Sequence, residues 1–329
     1  MALRWICGVD AYDDLAERWD YVDNMVITAN NPRRAGAKSI TPSYDSGFIS
    51  SPVVLTDGRA VLGVAFRPAT DVARAFISLH ENGTGAQVTL ELGGTAGLVS
   101  LRRGTSAGTV LESKTGQYTG GTWHYLELDV TVANSGAWTV RIDGATVLSG
   151  SGDTQQQSTN GLDYFKMQSM EVATPVQFCD IYVDSDTLRG DCIVQTIFPT
   201  GAGAATQFIP YPNANWNNVS DLIDGDASYN SATGSNTFDL FAFGDLPSIP
   251  GSSILGVGVN AVLRKDDSAT RTAYLLARPS STIYNQDAGA VTSSYKNYQK
   301  IWETNPGGGA WTEAGVNGAQ FGYMQYGVS

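Results

Sequence analysis

The chain has 329 residues with 20 Lys and Arg against 32 Asp and Glu, a formal charge of −12. That surface repels phosphate backbones, because nucleic-acid affinity rests on basic side chains releasing counterions, so nucleic acid and anionic membranes are excluded as partners. The length exceeds what one hydrophobic core fills and predicts two domains; 42% apolar residues are enough to build both, and a 16% charged share with 37 glycines predicts short strands joined by tight turns.

Along the chain, helical signal is confined to Asp13–Trp19, where an Asp caps one or two turns. Period-two or short apolar runs follow. They predict strands at Phe48–Leu55, Ala60–Arg67, Ala73–His80, Gln87–Leu92, Gly97–Arg102, Thr109–Ser113 and Trp123–Val132. Trp138–Ile142 and Thr146–Ser149 flank Asp143-Gly144, a two-residue hairpin signal. Met167–Ala173 and Val176–Val183 close the series. No crossover helices intervene, so the sheets are antiparallel. A polar stretch at Ser185–Asp191 marks a boundary, and the domains are placed at 1–188 and 189–329. Fresh strand signal starts at Cys192-Ile193-Val194 and continues at Thr237–Ala242, Gly256–Lys265, Thr272–Arg278 and Tyr298–Glu303. The expected fold is all-β: two consecutive antiparallel β-sandwich (jelly-roll) domains, without a repeat between them.

Three cysteines, Cys7, Cys179 and Cys192, fit neither a disulfide framework nor zinc spacing and are expected as reduced thiols. No run of eighteen apolar residues is present, and Met1–Asp10 lacks the apolar core of a signal peptide, so synthesis in a cytoplasm without membrane insertion is expected.

No catalytic residue is assigned. Gly104-Thr105-Ser106-Ala107-Gly108 matches a nucleophile elbow, but strands on both sides make it a hairpin loop rather than a strand-to-helix turn. Glu127 and Asp129 share a strand face, as a glycosidase pair would, yet read as a solvent-facing polar stripe. His80 and His124 are read as structural. Asp180, Asp184, Asp186 and Asp191, and separately Asp221, Asp224 and Asp226, are the candidate ligands of a structural Ca²⁺. No other cofactor is expected. Loop aromatics beside Asn and Asp suit sugar stacking, which makes Tyr118, Tyr164, Trp216 and Tyr229 candidate glycan contacts, with Tyr211 and Tyr284 further loop aromatics.

Cys7-Gly8-Val9-Asp10 with Trp19-Asp20, Arg33–Ile40, Gly121-Thr122-Trp123-His124-Tyr125-Leu126-Glu127 and Trp138–Gly144 resemble the concanavalin A-like, laminin-G-type jelly rolls. The second half is similar to C-terminal modules of tailed-phage virion proteins. The stretches are Asn215–Val219, Val257–Val262, Arg264–Asp267, Trp302–Pro306 and Ala310–Asn317 through Phe321-Gly322. The resemblance implies a non-enzymatic virion component, tail-associated or decorating the capsid. Its implied partners are copies of itself in a trimer or other symmetric oligomer, other virion proteins, and host-surface glycan in an adhesion role.

Overall fold

The computed structural model describes residues 3–55, 57–222, 224–232 and 234–327; Met1, Ala2, Thr56, Ile223, Thr233, Val328 and Ser329 lie outside the described residues. The chain forms two compact units, Met1–Val194 and Gln195–Ser329.

The strands of the first unit are β1 (Leu3–Cys7), β2 (Tyr21–Asp23), β3 (Met25–Thr28), β4 (Ser39–Pro42), β5 (Gly47–Ser50), β6 (Arg59–Pro68), β7 (Ala75–Glu81) and β8 (Gly85–Leu92). They continue with β9 (Val99–Arg103), β10 (Thr109–Lys114), β11 (His124–Thr131), β12 (Gly136–Ile142), β13 (Ala145–Gly152), β14 (Tyr164–Ser169) and β15 (Val176–Asp184). They pair antiparallel into two sheets. An eight-stranded sheet runs β13-β12-β11-β6-β15-β4-β3 with β1 also on β15, and a seven-stranded sheet runs β10-β9-β8-β7-β14-β5-β2. Alternate residues of each sheet enter one shared core: Leu62, Val64, Phe66, Leu126, Leu128 and Phe178 from the first, Ile49, Ile77, Leu79, Leu90, Phe165 and Met167 from the second. Edge-to-face contacts of Trp5 with Phe165 (5.9 Å) and Trp19 with Phe165 (5.8 Å) lock the sheets together. The expected helix at Asp13–Trp19 is a single 3₁₀ turn, Leu15–Glu17, capped by Asp14 accepting from the Ala16 amide.

Strand β15 breaks the alternation: all nine of its residues are buried. Its second face is covered by the segment that follows it. Asp180, 1% exposed, accepts from both Arg34 (2.9 Å to each oxygen), Arg33 (2.8 Å) and the Val194 amide (3.0 Å). Arg33 and Arg34 also donate to the carbonyls of Cys192 and Val194. Residues 189–194 therefore belong with the first unit, six residues beyond the division placed at 188/189, and Cys192-Ile193-Val194 forms no strand. The same layer corrects the reading of Glu127 as solvent-facing. It is 1% exposed and accepts from the Tyr182 hydroxyl (2.6 Å) and the Gly190 amide (2.7 Å). Tyr182 lies flat over Gly63, where a Cβ would stand 2.0 Å from its ring.

The second unit has β16 (Pro199–Thr206), β17 (Ile209–Tyr211), β18 (Tyr229–Ser231), β19 (Thr237–Phe243), β20 (Val257–Leu263), β21 (Arg271–Arg278), β22 (Tyr284–Ala290), β23 (Lys296–Trp302) and β24 (Gln320–Gly327). A five-stranded sheet, β16-β19-β24-β21-β22, is accompanied by the pairs β20-β23 and β17-β18. Phe241, Leu275, Tyr298, Trp302, Trp311 and Phe321 form its core. A short helix α1 (Glu313–Asn317), capped by Thr312, precedes the last strand. The fold is all-β, and its two sandwiches differ in strand number and pairing. No helix among the described residues is long and apolar enough to cross a membrane. Cys7, Cys179 and Cys192 carry free thiols, and burial pushes Cys7 up to about 11 and Cys192 up to about 12.

Replacing Gly63 by Val drives Tyr182 off the sheet and is expected to cost about 1–3 kcal/mol in urea denaturation. Gly201→Ala, whose added carbon meets nothing within 4 Å, is the neutral control. An unchanged midpoint for Gly63→Val would refute this packing.

Candidate functional site

The outward face of the seven-stranded sheet presents a cluster of aromatic and polar side chains. On β14, Phe165 and Met167 point inward with no exposure, so Tyr164, Lys166 and Gln168 point outward. Register then selects their neighbours: Lys166 pairs with Ser50 on one side and Ser78 on the other, Tyr164 with His80, Gln168 with Phe48 and Phe76, and Tyr21 with Ser50.

Two ring pairs result. Tyr21 and Phe48 stack with centroids 5.2 Å apart and planes 14° apart; His80 and Tyr164 stack at 5.0 Å and 11°. Between them the Lys166 ammonium lies 4.9 Å from the centre of the Phe48 ring and 6.0 Å from that of Tyr164. Asp20, Tyr21, Phe48, Ser50, Ser51, Val53, Asn82, Tyr164 and Lys166 line an open depression of about 300 Å³.

Toward β8 the face is closed. The fully buried Gln87 accepts from the amides of Gln156 and Gln157 (2.9 Å each) and donates to the Thr159 carbonyl (2.8 Å), clamping that loop as a wall. Beyond it Glu91 is held by Arg74 (2.7 Å) and Arg102 (2.9 Å). The open trough thus lies over β2, β5, β14 and β7.

The His80 ring shares a 2.7 Å hydrogen bond with Ser78 Oγ. Burial, helped by the Lys166 charge, lowers its pKa from 6.5 to about 4, so it is neutral at pH 7. The phenol of Tyr164 is pushed up by burial and by Asp163.

The sequence candidates are scattered. Tyr164 is in the trough. Tyr118 is 5% exposed and packs edge-on against Phe66, giving a ligand no ring face. Trp216 is partly buried against the second unit's core. Tyr229 is exposed but stands on the β17-β18 pair, 5.2 Å from Tyr211. Tyr21, Phe48, Ser50, Ser78, His80 and Lys166 were not selected from the sequence. The alternation of Tyr164-Phe165-Lys166-Met167-Gln168 was the available signal, which a strand start at Met167 hides.

All but one of the carboxylates proposed for Ca²⁺ are engaged by other side chains or amides. Asp184 takes the Arg189 guanidinium (2.7 Å) and the amides of Asp186 and Thr187. Asp186 accepts from the Thr187 hydroxyl, Asp224 from Ser228, and Asp226 from Arg264 (3.0 Å) and Tyr295 (2.6 Å). Asp180 and Asp191 hold Arg33. Asp221 is exposed. Among the described residues no group of three or more His, Cys, Asp or Glu is positioned for a metal.

Ser106 sits in the loop between β9 and β10 with no helix after it. His124 does meet an acid that the sequence did not single out. Its Nδ1 is 2.7 Å from Asp143, which the Asp-Gly turn (φ +51°) folds back so that it also accepts from the Tyr125 amide. His124 Nε2 faces Thr122 Oγ1 (2.9 Å) and the Thr119 carbonyl (3.0 Å). Asp129 is clamped by Arg59 (2.7 and 2.9 Å).

No family model matches the chain, and no curated protein matches it. Among solved structures, it is similar to an endo-β-1,4-glucuronan lyase from the fungus Trichoderma reesei (13% identity, TM-score 0.41, covering 56% of this chain and 96% of the other). It is also similar to the globular domain of T. cruzi calreticulin (12%, 0.41, 56% and 89%) and to the exoplasmic/lumenal domain of VIP36 in a Ca²⁺/Man3GlcNAc-bound form (7%, 0.39, 57% and 93%). At these identities and TM-scores the likenesses assign neither ligand nor reaction to this chain; the sandwich is read from its own strand pairing.

His80 yields a pH test. Its folded pKa lies below its unfolded value, so above pH 6.5 neither state is protonated and the full stability is present. Between 6.5 and about 4 the unfolded chain binds the extra proton and stability falls; below about 4 both are protonated and the loss levels off. His80→Gln removes this contribution, and the urea midpoints of wild type and variant should draw together from pH 7 to pH 4.5 beyond any shared acid effect. In wild type, the His80 ring resonances should stay in the neutral form at pH 5.5; a midpoint near 6.5 contradicts the burial.

Proposed function

We propose that the first unit is a non-enzymatic glycan-binding module and that the trough over β2, β5, β14 and β7 is its saccharide site. The reading is carried by one observation: two stacked aromatic pairs flank a cation and two serines on an open sheet face. A pyranose presents an apolar C–H face to a ring and hydroxyls at its rim. Flat aromatic surfaces with directed donors and acceptors are what such a ligand requires. Tyr21 and Phe48 form one platform edge, Tyr164 and His80 the other. Ser50, Ser78, Gln168 and the Lys166 ammonium supply hydrogen bonds to a sugar ring lying across them.

Placement on a virion, implied by the sequence resemblance, draws no support from the three structures compared above, and the glycan-binding reading does not depend on it. Self-association, if it occurs, raises the avidity of a weak single site by multivalent display.

The test is an array of oligosaccharides probed with the tetravalently displayed protein, followed by calorimetry on the strongest ligand. Phe48→Ala and Tyr164→Ala each remove a platform from a partly exposed position, so both should stay folded with a melting temperature lowered by only about a few degrees. Each should weaken binding about tenfold. An array without signal above background, or unchanged affinity in both folded variants, overturns the proposal.

A further inference from the structure

We infer that the trough selects acidic saccharides, with the Lys166 ammonium receiving a single sugar carboxylate; this rests on the glycan-binding reading above.

Six arginines of the first unit are neutralised by carboxylates. Arg33 and Arg34 close on Asp180, Arg59 on Asp129, Arg74 and Arg102 on Glu91, and Arg189 on Asp184. Lys166, like Arg67, which binds the Gly121 carbonyl and the Gln177 amide oxygen, is not among these pairs. Among the described residues no carboxylate comes within 4.0 Å of its ammonium, although the chain carries an excess of twelve negative charges. Two ring faces hold it instead, Phe48 at 4.9 Å and Tyr164 at 6.0 Å. Ring contacts fix the ammonium's position while leaving its donors directed at the open depression.

That position matches the shape of an acidic pyranose. A sugar stacked on an aromatic ring projects its carboxylate in the plane of its own ring, level with the gap between neighbouring platforms, which is where the ammonium stands. Ser50 and Ser78 are paired with Lys166 across β5 and β7; Ser50 lines the depression, and the Ser78 hydroxyl is shared with the His80 ring. His80 is neutral above about pH 4 and adds a hydrogen-bonding ring without a second positive charge. Asp20 lines the same depression, and Asp23 pairs with Phe48 on the edge strand. Both oppose every anionic group, so only a carboxylate in direct contact with the ammonium is favoured. One cation with two acids nearby favours a single carboxylate per binding subsite over a densely sulfated chain.

The test compares acid and ester. Oligosaccharides bearing uronic or sialic acids are printed beside their carboxyl methyl esters, which keep the sugar ring and remove the charge. Wild type, Lys166→Met and Lys166→Arg are measured at low and high salt. Wild type should favour acid over ester about tenfold, as a charge-assisted hydrogen bond of roughly 1.4 kcal/mol requires. Raised salt should shrink that ratio. Lys166→Met should bring it close to one while binding of the esters persists, and Lys166→Arg should preserve it. Equal wild-type binding of acid and ester, or a preference untouched in Lys166→Met, overturns this inference and leaves the glycan site standing. Binding to neither form overturns the glycan-binding reading itself.

Discussion

The two-residue alternation of β14 between β5 and β7 is the constraint on which the site depends. Phe165 and Met167 fill the core with no exposure, and Phe165 meets Trp5 and Trp19 edge-on. A one-residue slip would bring both side chains into water and drive Lys166 into the core, which the hydrophobic term forbids. The trough is therefore positioned by residues it does not contain. Its rings are held before any ligand arrives, so little ordering entropy opposes binding.

The opposite sheet shows the complementary solution. Over β15, β6 and β11 its outer face is covered by residues 185–194, and the carboxylates there serve packing and charge balance. Glu127 receives a tyrosine hydroxyl and an amide, Asp180 two guanidinium groups and an amide, and Asp184 one guanidinium and two amides. Buried charges of this kind are tolerated only when partners compensate them, and here guanidinium, hydroxyl and amide donors do so. Gly63 is the steric condition for the arrangement, because Tyr182 occupies the space a side chain would need.

Much of this architecture is legible in the sequence. Ala60–Arg67 anticipates β6, Gln87–Leu92 anticipates β8, and Asp143-Gly144 turns β12 into β13, because alternation and turn chemistry are local. Elements that draw their stability from distant partners are harder to see. β16, Pro-Thr-Gly-Ala-Gly-Ala-Ala-Thr, and β22, Tyr-Asn-Gln-Asp-Ala-Gly-Ala, have little strand propensity and exist through pairing with β19 and β21. The site belongs to this second category. Tyr21, Phe48, Ser78 and Lys166 come from four separated segments, and only the order β7-β14-β5-β2 brings them together. Tyr164 was legible as an aromatic near a turn; its companions were not, since no local pattern announces which strands adjoin. Aspartates at the end of the first unit looked like ligands because burial and guanidinium partners are invisible in composition.

The most direct test is to map the bound saccharide by backbone amide shifts on isotope-labelled protein, using the tightest-binding oligosaccharide. A saccharide seated in the trough gives the largest changes at Tyr21, Phe48, Ser78, His80, Tyr164 and Lys166. Changes confined to Tyr211, Trp216 and Tyr229 of the second unit, with the trough unmoved, would contradict it.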